Sequence, residues 1–552
     1  PVSTIRNIQD TALLNNGNAI CRIKPINSNG ANMIHPKNND MEFHAIDQLW
    51  RNSLGIRSTN YNLAEGYFSL GGNSLSAIKL MMDIQKTFNI QISMSDLISC
   101  EGLNGLYQYI FEQRQFNYGE KTEVFEPAAR FPLSIIQKQI LYQCLLGENA
   151  AYNVYKIFRV SGPIEHLKAN ACFEAIIKDF PIINARLVCE EGEYNQDISQ
   201  ELNQEYITYS NCESEEEAIN TIQDDIRRPF NLYSNSTLYR IKQISISNSI
   251  HFLLFNFHHL ICDEWSLNML FKRFSELYEG TNRNYKRLDY SYFVKDQKVP
   301  AKPSTRFMQQ LERYQPIFSN RSKHIKAQAG SIYTQRLAQK DFIKIKEVAI
   351  SENVTPAILF HAVLNIALYM KHDSPKFNIG VPITFRSKNE HRNMFGLLVN
   401  TSVIGYKDEP NLAMKEYINT VKKKYLLAQE NQNVPFSNLL SECYSKGICC
   451  RSGLPFEVLF VYEDFINRLS TSSFTTREII LHNDTCKFPL TIALKFLQEN
   501  SPVLQFEYSK ALFSDADIEA LSCDFLTLLN RLPTLPDLNL SVSSYRVLGR
   551  KS

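Results

Sequence analysis

Residues 250–266 read Ile-His-Phe-Leu-Leu-Phe-Asn-Phe-His-His-Leu-Ile-Cys-Asp-Glu-Trp-Ser, a strand-like apolar run that ends in a polar cluster. In an extended strand successive side chains point to opposite faces, so His259 shares a face with Leu253, Phe255 and Phe257 while His258 lies on the other. Only one of the two imidazoles can face a given cavity. A neutral imidazole at a strand end is a competent base or hydrogen-bond partner near pH 7, and Asp263, four residues on, is placed to fix the turn. The alternative is two core histidines satisfied by backbone carbonyls, the usual fate of an isolated pair.

Outward from this stretch, strand-like runs (Tyr155 to Val160, Phe456 to Tyr462) alternate with helical ones (Glu165 to Phe180, Ile343 to Ile350), which predicts an α/β architecture. The region from Phe131 to the end exceeds what one core serves, so two lobes are expected, with Val299 to Pro303 (VPAKP) as the crossover. Before it, Ala45, Leu49, Ala77, Leu80, Met81, Ile84, Phe88, Leu103, Leu106 and Ile110 recur at helical spacing and predict a small all-α unit. The expected boundaries are a linker or remnant over 1–37, the helical unit over 38–117, a linker over 118–130, lobes over 131–300 and 301–545, and a tail over 546–552.

With 552 residues, 44% hydrophobic and 21% charged, the chain has ordinary globular composition, which excludes wholesale disorder. Lys+Arg 59 against Asp+Glu 57 gives 59 − 57 = +2, which argues against a nucleic-acid partner. The most apolar segment, Pro356 to Met370, carries His361 and Asn365 and reads as an amphipathic helix, so no membrane partner is expected. The 12 cysteines are single apart from Cys449-Cys450 and form no CxxC pair. They read as reduced core residues of a cytoplasmic protein, with no metal site. The start Pro-Val-Ser-Thr lacks an initiator Met and a leader, and reads as an excised piece of a longer polypeptide.

In Gly66-Tyr-Phe-Ser-Leu-Gly-Gly-Asn-Ser-Leu-Ser-Ala, Gly71-Gly72 breaks the chain and Ser74 opens an apolar-periodic helix. A hydroxyl at a helix start suits attachment of a phosphate group, although an arbitrary Gly-Gly-x-Ser more often only caps its helix. The surroundings, Tyr67, Phe68, Leu70, Gly71, Gly72, Asn73, Ser74 and Leu75, resemble the peptidyl carrier protein signature. The resemblance implies a four-helix bundle with 4′-phosphopantetheine on Ser74, flanked by Gly72, Asn73 and Leu75. Asn73 stands where the family has His or Asp.

The 250–266 string resembles the HHxxxDG motif of nonribosomal peptide synthetase condensation domains, and Trp265-Ser266 is typical of it. Other segments agree in order: Ser134 to Leu141 (SIIQKQIL), Asp289 to Gln297 (DYSYFVKDQ), Ile379 to Arg386 (IGVPITFR), Gly396 to Thr401 (GLLVNT), and the Pro-Phe pairs of Val434 to Phe436 and Leu454 to Phe456. Val399-Asn400-Thr401 and Trp265-Ser266 disfavour the sibling epimerisation domains. The resemblance implies a multidomain chain: the small all-α carrier bundle, then a two-lobed α/β chloramphenicol acetyltransferase-like fold with a tunnel between its lobes. It makes His259 the catalytic residue, His258 architectural, and Asp263 with Arg386 a structural salt bridge. Glu264, Trp265, Ser266 and Asn400 are the further supporting residues.

Three departures stand out. Glu264 replaces a Gly, which either narrows the acceptor side or contacts a cationic or hydroxylated acceptor, or else turns to solvent. Asp179 to Ala185 (DFPIINA) has lost the His and Arg of the RHxxLRT motif. Residues Leu13 to Arg22 weakly resemble the tail of an adenylation domain, with Asn18 where that family has its catalytic Lys. The function implied is amide formation between an acyl group on the Ser74 arm and the amine of an aminoacyl group on a downstream carrier. The partners implied are an upstream adenylation domain, that downstream carrier and a phosphopantetheinyl transferase. The alternative is a silent domain serving as a docking scaffold, or one with a changed outcome such as ester formation or release onto a free amine.

Overall fold

A computed structural model describes residues 41–56, 58, 61–72, 74–88, 90, 92, 97, 100, 102–116, 128–147, 149–198, 205–233, 236–281, 289–297, 302–313, 328–371, 376–386, 391, 393–449, 453–463, 466–497, 502–534 and 538–550. The N-terminal region holds helices Met41–Leu54, Ser74–Phe88 and Gly102–Phe116. Their periodic apolar faces close on one core of Ile46, Trp50, Ala77, Leu80, Ile84, Leu103, Leu106 and Ile110, with Tyr67 and Phe68 from the connecting loop. Trp50 and Tyr67 meet edge to face at 5.0 Å, and the Tyr67 hydroxyl donates to Ser53 Oγ at 2.9 Å, satisfying the polar end of a buried ring. The fourth helix of the expected bundle falls outside the described residues.

Among the described residues, the larger region is built on three sheets. β1 (Arg130–Pro132), β4 (Glu193–Asp197) and β3 (Arg186–Glu190) form the smallest, in the order β1-β4-β3. A five-stranded sheet runs β12-β2-β7-β6-β5, from β2 (Asn153–Ser161), β5 (Ile207–Asn211), β6 (Tyr239–Ser247), β7 (Ile250–His258) and β12 (Thr475–Ile479). A seven-stranded sheet runs β10-β9-β11-β14-β15-β8-β13. Its strands are β8 (Gln328–Arg336), β9 (Lys376–Thr384), β10 (Val399–Lys407), β11 (Val458–Tyr462), β13 (Thr485–Cys486), β14 (Leu490–Phe496) and β15 (Pro502–Ser509).

β7 is central in its sheet and covered on both faces, which is why it reads as a nearly continuous apolar run. Leu253, Phe255 and Phe257 pack with Phe271 and Phe274 of helix Glu264–Tyr278, while Phe252 and Leu254 pack with Ile222 and Ile226 of helix Glu215–Arg227. The face assignment made from strand alternation therefore describes two distinct cores. The second lobe has its own core around helix Pro356–Lys371. That helix is buried continuously from Pro356 to Tyr369, which corrects its reading as amphipathic. It is buried all round, His361 and Asn365 included, because a sheet and several helices enclose it. Burial pushes the His361 imidazole down to about 3. Among the described residues no single helix is long and apolar enough to cross a membrane.

The chain passes between the lobes repeatedly. Met394, Phe395, Leu397, Leu398, Leu469 and Phe474 pack into the first lobe's core, and β12 pairs antiparallel with β2, Ile479 opposite Ile157. The cysteine reading also needs correction: Cys189 and Cys523 are exposed, whereas Cys144, Cys172, Cys262, Cys443, Cys449 and Cys486 are buried, and those described are free thiols.

Gly396, at the head of one crossing segment, has φ +145° and lies flat against Tyr290, whose ring occupies the space a Cβ would need. Gly396→Ala is expected to cost about 2 kcal/mol or more through strain and overpacking, read as a lowered midpoint in chemical denaturation. An unchanged midpoint would show that the segment relaxes freely.

Candidate active site

β7 ends at His258, and residues 259–263 turn into helix Glu264–Tyr278, whose N-cap is Asp263. The two histidines are held in opposite ways. His258 is fully buried; its Nδ1 accepts the Leu260 N–H at 3.1 Å, so its proton sits on Nε2 and is donated to Asn149 Oδ1 at 2.7 Å. Both nitrogens are consumed, and burial pushes its pKa well below the ordinary range. His258 is therefore part of the architecture.

His259 is half-buried. Its backbone N–H donates to the Tyr152 carbonyl at 2.9 Å, and Nδ1 lies 2.7 Å from the Cys262 carbonyl. A carbonyl only accepts, so the Nδ1 atom carries the proton and Nε2 keeps a lone pair. Burial, with the Lys487 charge adding to it and the Cys262 carbonyl opposing, pushes the His259 pKa down to about 4. The ring is neutral at physiological pH.

Asp263 and Arg386 are each 1% exposed and paired at 3.0 Å. Asp263 Oδ1 also accepts the Ser266 N–H at 2.8 Å and hydroxyl at 2.7 Å, and Oδ2 accepts the Leu398 N–H at 3.0 Å. Arg386 Nη1 donates to the His391 and Met394 carbonyls at 2.9 and 2.6 Å. Ser266 Oγ accepts the Gly396 N–H at 3.0 Å, and the Arg386 guanidinium lies 5.7 Å from the Trp265 ring centroid. The charges are thus neutralised and almost fully hydrogen-bonded, as burial requires.

The motifs that begin at Ser134 and Asp289 converge here. Ser134 caps helix Ile135–Leu146, and Gln137 closes the capping box at 2.8 Å while donating Nε2 to the Leu260 carbonyl at 2.8 Å. Tyr290 donates to the Leu397 carbonyl at 2.7 Å and lies 3.2 Å from Ser134 Oγ. Asn400 falls elsewhere. Its Nδ2 donates to the Val434 carbonyl at 2.7 Å and its Oδ1 accepts the Phe436 N–H at 3.2 Å, so it pins the Val434-Pro-Phe436 turn.

Glu264 is partly exposed and its charge favours the protonated form of His259, but its direct partner is a lysine. It pairs with Lys156 of β2, which also reaches Glu478 of β12 at 3.1 Å, so the triad ties helix, sheet and crossing strand together. Burial opposes the charge on Glu264, but Lys156 and Lys495 outweigh it and hold the carboxyl below its usual range. Sequence reading missed Lys156, Glu478, Asn149, Tyr152 and Lys487. Lys156, a charge inside the Tyr155 to Val160 strand, was the one visible signal, since a buried lysine needs a partner.

In the carrier region, helix Ser74–Phe88 begins at Ser74, Gly71 has φ +93°, and the Gly72 N–H donates to the Tyr67 carbonyl at 3.1 Å. A Cβ on Gly72 would strike the Tyr67 ring, so this turn admits only glycine while delivering Ser74 to the helix start. That position fits a phosphate diester on Ser74. Asn73 lies outside the described residues.

Fold and site together define a two-lobed enzyme of the acyl-transfer type, its histidine on a strand-to-helix turn, preceded by a helical carrier. Residues 128–548 match the family model described as Condensation domain and residues 44–110 the one described as Phosphopantetheine attachment site, so the chain belongs to the condensation domain family and carries a carrier domain before it. It is 25% identical over 506 residues to tyrocidine synthase 2 of Brevibacillus parabrevis, covering 89% of this chain and 14% of that protein. It is 24% identical over 503 residues to bacitracin synthase 1 of Bacillus licheniformis, covering 89% and 9%. The chain thus spans about a seventh or less of these relatives. Among solved structures it is similar to a four-domain nonribosomal peptide synthetase bound to AMP and glycine, with TM-score 0.65 and 17% identity over 78% of this chain and 35% of that one. The first condensation domain of the calcium-dependent antibiotic synthetase gives TM-score 0.62 and 16% identity over 76% and 99%.

Arg386→Ala strands a buried carboxylate and is expected to cost about 3–5 kcal/mol, read by denaturant unfolding; a loss below about 1 kcal/mol, the range of an exposed pair, would show the pair to be solvated. An NMR titration of histidine-labelled protein should place the His259 midpoint at about 4 and Lys487→Met should raise it, since a neighbouring cation is removed. A midpoint near 6.5, the ordinary value, would contradict a ring kept neutral by its partial burial and the Lys487 charge.

Proposed function

We propose that the chain joins a donor acyl group, carried on the Ser74 arm, to the amine of an acceptor aminoacyl group held by a downstream carrier. The 4′-phosphopantetheine arm supplies a flexible thiol that holds the donor as an activated thioester. The observation that carries the reading is the His259 tautomer: the Cys262 carbonyl occupies Nδ1 and leaves the Nε2 lone pair for a substrate proton.

His259 accepts a hydrogen bond from the amine nitrogen through Nε2 and aims the nitrogen lone pair at the acyl carbon. With a pKa near 4 the imidazole is a weak base toward a free amine. It takes a proton only as the nitrogen becomes positive on bonding, when that proton is strongly acidic. The Asp263–Arg386 pair fixes the turn that carries the ring, and His258 with Asn149 holds the strand end. Glu264 acts through Lys156 and Glu478, joining the crossing strand to the histidine turn, and does not itself contact the acceptor. An adenylation domain upstream would load the arm and a phosphopantetheinyl transferase would install it.

Intact-protein mass spectrometry tests this. The chain is loaded at Ser74 from an aminoacyl coenzyme A, then offered a loaded acceptor carrier. Loss of the acyl mass with amide product is expected, abolished in Ser74→Ala and slowed by about 10²–10⁴-fold in His259→Ala. Normal amide yield from His259→Ala would remove His259 from the mechanism, and loading without transfer to any acceptor would favour a docking scaffold.

A further inference from the structure

Attack of an amine on an acyl carbon drives negative charge onto the acyl oxygen, and a positive group fixed there in a water-poor site lowers the barrier. His259 cannot supply that charge, since it is neutral and its one N–H is spent on the Cys262 carbonyl. The other cations near the turn are also committed. Arg386 is held by Asp263 and carbonyls, Arg240 by Asp225 at 2.8 Å, and Lys156 by Glu264 and Glu478. Lys495 lies 3.8 Å from Glu463.

Lys487 differs. Among the described residues its ammonium has no hydrogen bond and no carboxylate within ion-pair distance, and it lies 5.0 Å from the centroid of the Tyr152 ring. That tyrosine binds both histidines, its ring stacked on His258 at 6.4 Å between centroids and its carbonyl accepting the His259 N–H at 2.9 Å. The backbone leading to Lys487 is tied to the same place. Asn483 Nδ2 donates to the Ala150 carbonyl at 2.8 Å, the Thr485 N–H donates to Asn483 Oδ1 at 3.2 Å, and β13 pairs with β8. The second lobe thus sets against the Tyr152 ring a lysine with no ion-pair partner among the described residues, its pKa lowered by burial while the Glu507 and Glu264 charges favour its ammonium form. Its charge acts on both imidazoles, lowering the pKa of His259 and of His258.

We propose that Lys487 is a second catalytic residue, its ammonium donating to the acyl oxygen while His259 handles the amine. The inference rests on the condensation reading above. The nitrogen lone pair forms the C–N bond and the carbonyl π pair moves to oxygen, where Lys487 meets it. Return of that pair re-forms C=O and breaks the C–S bond; the proton leaves nitrogen through His259 and ends on the departing sulfur. Lys487 keeps its own protons throughout.

The test compares wild type, Lys487→Met and Lys487→Arg by two readouts. In steady-state amide formation, Lys487→Met should lower kcat by about 10²-fold with little change in KM, and Lys487→Arg should recover part of the loss. By calorimetry, a pantetheine-linked phosphonate, which mimics the tetrahedral anion, should bind wild type at least about tenfold tighter than the matching neutral amide, and Lys487→Met should erase that advantage. Wild-type kcat in Lys487→Met, equal phosphonate and amide affinity in wild type, or a phosphonate advantage that survives Lys487→Met would each overturn the proposal. If Lys487→Met fails to fold by thermal melting, Lys487→Gln replaces it. If wild type makes no amide with any acceptor, the condensation reading fails, while the phosphonate affinities still decide on Lys487.

Discussion

The buried pairing of Asp263 with Arg386 is the constraint on which the rest of the site depends. Removing two charges from water is costly, and here the cost is offset by hydrogen bonds that reach four separate segments: the histidine turn, the start of helix Glu264–Tyr278, the loop after β9, and residues 394–398. Because those bonds are directional, the charge pair does more than hold segments together. It fixes the turn after β7 in one conformation, and that conformation puts the Cys262 carbonyl against His259 Nδ1. The tautomer of the His259 ring thus follows from an ion pair it does not touch.

A second ionic system works where the lobes meet. Lys156, Glu264 and Glu478 belong to β2, the Glu264 helix and β12, so their pairing closes the crossing strand onto the first lobe's sheet next to the histidine turn. A Gly at 264 could not take part. The departure at this position reads as an electrostatic fastening, with Lys156 as the compensating residue. Lys487, reached a few residues beyond the same crossing, has no carboxylate within ion-pair distance among the described residues, and only the more distant charges of Glu507 and Glu264 favour its ammonium form, in contrast with its paired neighbours.

Much of this was legible in the sequence for definite reasons. β7 and the Ser74 helix are decided locally, by alternation in one case and by a glycine-forced turn before a 3.6-residue period in the other. The same alternation set His258 and His259 on opposite faces, while the resemblance to condensation domains assigned their roles. What escaped was set by contacts distant in the chain. Helix Pro356–Lys371 carries His361 and Asn365 and so looks two-faced, but the second lobe encloses it on every side. Asn400 sits in a motif string with residues of the site, yet its hydrogen bonds go to the Val434 turn. Glu264 was open to an acceptor-side or a solvent-facing reading until Lys156, over a hundred residues earlier, was placed beside it.

The central claim is that His259 Nε2 is the atom that meets the acceptor amine. The most direct measurement is a crystal structure of the chain with a non-hydrolysable acyl-amide pantetheine on Ser74 and an aminoacyl-pantetheine analogue soaked from the acceptor side. The account predicts the acceptor nitrogen within hydrogen-bond distance of His259 Nε2, with Nδ1 still on the Cys262 carbonyl. An amine held by another side chain, or a His259 ring flipped to leave Cys262, would contradict it.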